Sequence, residues 1–204
     1  MTNINSFPNV PTISLDEACK CVQSCDILMI SGSSLLDELI KKGTSSVWSH
    51  IGILFKLNDG TISRIMMMES TEPGGIRAVP LSNYLSNFNG TGKGFAGKML
   101  IARYTNFPIQ GISSAATQAI DLLGYPYSID DIMSIAARIV LKDVVNSVLS
   151  SDVSSKTAYI CSEYVEACYK AAGVNIPYNT AGYIAPSDFM ACDQVVPLYY
   201  VAGT

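Results

Sequence analysis

The sequence is poor in charge and poorer still in histidine. Only 15% of its 204 residues are charged, 13 Lys and Arg against 17 Asp and Glu, and it holds one His and one Trp. Ordinary globular domains carry roughly a quarter charged residues. A net charge of −4 with no basic cluster argues against binding a phosphate backbone, which needs a concentrated cationic surface, so no nucleic-acid partner is expected. No run approaches the roughly 18 apolar residues that a membrane span requires. The first basic residue is Lys20 and no apolar core precedes it, so no secretory signal is read and a cytoplasmic location is expected. One His among six Cys leaves too few paired ligands for a closed zinc site, so no metal is expected. What is abundant is apolar. With 49% hydrophobic residues the chain is not disordered, and its length suits one domain with a sizeable core.

The pattern alternates between short strands and helices. Residues 1–13 read as an irregular arm. Ser14-Leu15-Asp16-Glu17 is a capping box opening a short helix to Cys21. Asp26 to Ile30 reads as a strand, and Leu35, Leu36, Leu39 and Ile40 as a helical stripe ending near Gly43. Trp48–Leu57 and Thr61–Ser70 flank Asp59-Gly60, a favoured two-residue hairpin turn. With that turn, Asn58 faces Thr61, and the register runs through Leu54–Ile65 and Gly52–Met67 to His50–Glu69. Short strands follow at 76–79 and 99–104, and a helix with Ile112, Ala115, Ala119 and Leu123 stops at Gly124. A second helical pattern covers 129–149 and a loop 150–156. Cys161, Tyr164, Val165, Cys168 and Ala172 then fall on one helix face, stopped by Gly173. Short strands near Ile184 and over 195–201 close the chain.

Three of these residues carry chemistry together. A thiol in the first turn of a helix sits at the positive end of the macrodipole, which favours the thiolate, and the unpaired first-turn amides can stabilise an oxyanion. That makes Cys161 the candidate nucleophile. The competing reading is a small buried hydrophobe, one of six Cys. His50 is the sole imidazole the chain can offer as a base. The hairpin register sets Glu69 opposite it, and a carboxylate on one ring nitrogen orients the other toward a nucleophile. A one-residue slip would turn Glu69 to the wrong face, leaving Glu72 in the next turn as the alternative.

Ser49-His50-Ile51-Gly52-Ile53, Met68-Glu69-Ser70 with Gly74-Gly75-Ile76, Gly124-Tyr125-Pro126-Tyr127 and Tyr159-Ile160-Cys161-Ser162-Glu163-Tyr164-Val165 stand in that order. The set resembles the YiiX-type members of the permuted NlpC-like, papain-fold cysteine hydrolases, from about Cys25 to a closing Ala185-Pro186-Ser187-Asp188-Phe189. The resemblance implies a circularly permuted papain-like α+β fold, a small antiparallel sheet or half-barrel packed against helices. It implies Cys161 as nucleophile, His50 as base, Glu69 as orienting acid, and Tyr127 beside the oxyanion, with no cofactor. The implied substrate is an amide: a peptide, an isopeptide or an acylated amine. Two departures stand out: the family's usual Gly-Asp entering the first strand is Cys25-Asp26 here, and 129–156 is long for the connection it occupies. Residues 1–24 then form an arm and short helix, and 25–204 the hydrolase domain with a helical insertion around 129–156. Two rival functions follow: a lipid-linked acyltransferase of the lecithin:retinol acyltransferase type, taking an acyl-lipid substrate, and a non-enzymatic binding module.

Overall fold

The computed structural model describes residues 5–129, 132, 157–177 and 183–202. The helical pattern expected over 129–149 and the loop over 150–156 fall almost wholly outside them. The elements, in chain order, are β1 (Thr12–Ile13), α1 (Leu15–Cys21), β2 (Asp26–Ser31), α2 (Leu35–Thr44), β3 (His50–Asn58), β4 (Ser63–Thr71), β5 (Gly75–Pro80), α3 (Leu81–Ser86), β6 (Lys98–Tyr104), α4 (Gly111–Asp121), α5 (Cys161–Ala171), α6 (Pro186–Ala191) and β7 (Val195–Val201).

Among the described residues the strands form one seven-stranded sheet in the order β1-β7-β6-β2-β3-β4-β5. Its pairs are antiparallel except β1 with β7. β1 replaces part of the irregular arm expected at the N-terminus. The Tyr200 amide donates to the Pro11 carbonyl at 2.9 Å, because the outer side of β7 presents backbone groups that need partners.

The alternation of β3 and β4 sorts their side chains into two layers. Ile51, Ile53, Phe55 and Met68 join the core made with α4 and α5, which includes Ala115, Tyr164, Val165 and Cys168. Leu54, Ile65 and Met67 join the opposite core, made with Ala18 of α1 and Leu81, Tyr84 and Leu85 of α3. This is an α+β fold with helices on both faces of the sheet.

The hairpin register differs from the expected one. Asn58 pairs with Ser63 and Leu54 with Met67, so the loop is Asp59–Ile62 rather than Asp59-Gly60 alone. The Asp59 carboxylate explains the wider loop: it accepts from the amides of Thr61 at 2.9 Å and Ile62 at 2.8 Å, and from the Thr61 hydroxyl at 2.8 Å. Each partner moves by two residues, and a shift of two preserves the face. The strand expected near Ile184 is absent from the described residues there. Pro186 starts α6 instead, and Asp188 accepts the Ala185 amide at 2.7 Å.

Candidate active site

β3 begins at His50, and α5 begins at Cys161. The chain entering α5 is tied down from two sides. Ser70 on β4 donates its hydroxyl to the Tyr159 carbonyl at 2.7 Å. The Tyr159 amide donates to the Pro126 carbonyl, and the Ser128 amide to the Tyr159 carbonyl, each at 3.2 Å. Tyr127 thereby lies beside Tyr159 in a parallel bridge. The Tyr127 segment is itself stapled to β5, where the Ile76 amide donates to the Tyr125 carbonyl at 2.8 Å. A side chain at Gly75 would collide with that carbonyl, and its φ of +65° also favours glycine.

His50 and Glu69 meet directly: Nε2 lies 2.5 Å from the Glu69 Oε2. With Gly52 between them on the β3 face, no side chain intervenes, and the space next to Gly52 is filled by Met67. Glu69 is fully buried and uses both oxygens. Oε2 also accepts the Tyr84 hydroxyl at 2.6 Å, and Oε1 accepts Arg77 through Nε at 3.0 Å and Nη2 at 2.9 Å. Burial alone would raise the Glu69 pKa. The His50 hydrogen bond and charge, the Tyr84 bond and the Arg77 cation outweigh it and hold the carboxyl below its usual range.

His50 is 16% exposed at its side chain. Burial opposes a charge there. Charge and hydrogen-bond interactions with Cys161, then with Glu69, prevail and push the imidazole up to about 10. Cys161 itself is buried, on the inward side of its helix. The Ile160 amide donates to Glu163 Oε2 at 3.0 Å, which fixes the first turn. Tyr127 has its phenol pKa raised by burial and by negative groups at Cys161, Glu163, Glu72 and Asp37, so its hydroxyl stays a donor. Burial would raise Asp37 too, but Ser34, Ser49 and the His50 charge keep it low.

The structure therefore gathers all four sequence-derived residues, Cys161, His50, Glu69 and Tyr127, at one place. Glu72 is exposed in its turn and is not the partner of His50. A cavity opens beside Cys161, lined almost entirely by apolar groups that include Leu39 and Ile40 of α2, Ile160, Ile184 and Pro186. Ser162 pins one wall by donating to the Ile184 carbonyl at 2.8 Å. Sequence reasoning missed Arg77, Tyr84 and Ser70. For Arg77 a signal existed: the short turn between Thr71 and Gly75 sets Glu69 opposite Arg77 on β5.

No curated protein matches the chain. Among solved structures, the crystal structure of the metalloprotein YiiX from Escherichia coli O157:H7 (DUF1105) is similar in fold. It has a TM-score of 0.59 and 18% identity, over 86% of this chain and 96% of that one. Among the described residues here, no group of three or more His, Cys, Asp or Glu is arranged to hold a metal ion. The family model for the permuted papain-like amidase enzymes, YaeF/YiiX, C92 family, matches residues 22–189. Covering most of the sequence and the whole of the site above, that match places the chain in the family: it is a permuted papain-like amidase of the C92 group.

Proposed function

We propose that the chain hydrolyses an amide through an acyl-enzyme on Cys161. The observation that carries this reading is His50, which interacts with Cys161 on one side and with the Glu69 carboxylate, at 2.5 Å, on the other. With Nε2 engaged by Glu69, Nδ1 is the nitrogen left for the sulfur. His50 takes the thiol proton, and the Cys161 Sγ attacks the substrate carbonyl. The Cys161 amide at the start of α5 and the Tyr127 hydroxyl stabilise the oxyanion. His50 returns its proton to the leaving amine as the C–N bond breaks. It then takes a proton from water, which attacks the thioester and releases the acid and the free thiol. No cofactor enters these steps.

The test is mass spectrometry of the protein after exposure to a panel of acyl-amide and acyl-ester probes. An acyl group trapped on Cys161 is expected, together with its absence in Cys161→Ala. Competitive alkylation at limiting iodoacetamide gives a second measure. Cys161 is expected to react before the other five thiols, with Cys25, pushed up to about 12 by burial and by Asp26, among the slowest. An unlabelled Cys161 in both assays would leave a binding module as the better reading. The apolar cavity beside Cys161 favours a second version of the same chemistry, in which a lipid acyl chain is donated to an amine or alcohol rather than to water. Product analysis separates them: free acid marks hydrolysis, an acylated acceptor marks transfer.

A further inference from the structure

The Glu69 carboxylate has three partners from three elements: His50 on β3, Arg77 on β5 and Tyr84 on α3. A buried carboxylate can accept about four hydrogen bonds. Here Oε1 is filled by both Arg77 nitrogens and Oε2 by Tyr84 and His50, so the plane of the group is set whether or not His50 is charged. The Tyr84 ring is itself held, with Phe88 at 4.9 Å and Phe95 at 5.9 Å between centroids. We infer that Tyr84 and Arg77 are positioning residues for His50, fixing the Glu69 carboxylate and limiting how strongly it draws a proton onto the imidazole. This rests on the reading of His50 as the base.

The sign follows from charge. When His50 gives up its proton, the buried His50–Glu69 pair goes from neutral to net negative. A cation and an O–H donor on Glu69 both favour the negative state. Arg77 and Tyr84 therefore lower the pKa that His50 would have beside an unassisted Glu69, and removing either raises it. The other groups facing His50 are Cys161 from α5 and Asp37 from α2. Arg77 and Tyr84 reach it through Glu69.

Because the chain has one histidine, its imidazole NMR signals need no assignment. The titration is run in the Cys161→Ala background, where the neighbouring sulfur is gone. Tyr84→Phe and Arg77→Gln are each expected to move the His50 midpoint upward, by about 0.5 to 2 pH units. Arg77→Lys keeps the cation and is expected to move it less. In the protein with Cys161 intact, the same two variants are expected to lower kcat by roughly 3- to 30-fold with KM within about twofold. A midpoint that stays put or falls, with only the melting temperature reduced, would overturn the proposal and leave a structural role. Should Arg77→Gln fail to fold, Tyr84→Phe, which loses a single oxygen, carries the titration. The titration does not depend on turnover. Activity persisting in Cys161→Ala would defeat the thiol mechanism while the NMR result still judged the clamp.

Discussion

Two helices begin next to His50, and they begin almost alike. In α2 the third helical residue, Asp37, accepts the Ser34 amide at 2.8 Å; in α5 the equivalent residue, Glu163, accepts the Ile160 amide at 3.0 Å. The difference is one oxygen. Ser34 Oγ accepts the Asp37 amide at 3.1 Å and closes the capping box, whereas Ile160 has no side-chain acceptor to offer. A helix start normally gains about 1 kcal/mol from such a cap. At α2 that stabilisation is taken. At α5 it is forgone in the turn that carries Cys161, where the proposed chemistry needs amides facing a transient anion. A buried aliphatic residue at the cap is a poor choice for helix stability and a good one for an oxyanion site.

The largest expected effect tests whether α5 is the reactive start at all. Cys161→Ala and His50→Ala should each reduce turnover of a labelling substrate to background, a loss of about 10,000-fold or more, and the double variant should lose no more. Next is Glu69→Gln, expected to cost on the order of 10- to 1,000-fold in kcat. It keeps an acceptor for the His50 N–H but removes the charge. The pH profile should show why. The leaving amine receives the His50 proton, so activity falls as pH rises through the His50 value of about 10. Loss of the Glu69 charge lowers that value, and the alkaline limb should move to lower pH. A limb that does not move would detach Glu69 from the base.

A reciprocal pair of substitutions then addresses the caps. Ser34→Ala is expected to cost about 1 kcal/mol of stability, read by denaturant unfolding, with kcat within about twofold. Ile160→Thr adds a cap oxygen that can accept the Glu163 amide, as Ser34 does for Asp37, and should lower kcat by roughly 3- to 10-fold, because a partial negative charge then faces the first-turn amides beside the oxyanion. The opposite pattern would break the comparison. The smallest effect concerns Cys25, whose φ of 73° is left-handed. Cys25→Gly relieves about 1 kcal/mol of backbone strain and loses a comparable amount of buried side chain, for a net change within about 1 kcal/mol. Cys25→Ala loses the side chain without the relief and should be the less stable of the two.

That same φ suits the Gly-Asp that the family resemblance leads one to expect at this point: the backbone at Cys25 is left-handed, a conformation glycine adopts without strain. The candidate site was more legible than the loop that led to it. His50, Glu69 and Cys161 could be chosen by residue type and spacing, Tyr127 came only with the family resemblance, and the face of Glu69 survived a misplaced turn because side chains alternate with period two. The turn was misread because Asp-Gly signals a tight hairpin, whereas the Asp59 side chain here organises a wider loop. Tyr84 could not be read at all. Its hydroxyl reaches Glu69 from α3, and a helix facing a strand across a core leaves no spacing in the sequence. The strand assigned near Ile184 yielded to Pro186 and Asp188, a helix-opening pair already present in the sequence.

Adjacent residues of β4 serve opposite layers of the molecule: Glu69 reaches His50 on one side, and Ser70 holds the entry to α5 on the other. His50 and Cys161 are thus fastened to neighbouring residues of β4, which pairs with β5 at both positions and with β3 as far as Met68. Amides so placed exchange with solvent only through the larger openings of a domain. Release of either fastening is therefore expected to require the opening of β4. In rising denaturant, catalysis and β4 amide protection should disappear in a single transition, without an earlier inactive but folded stage.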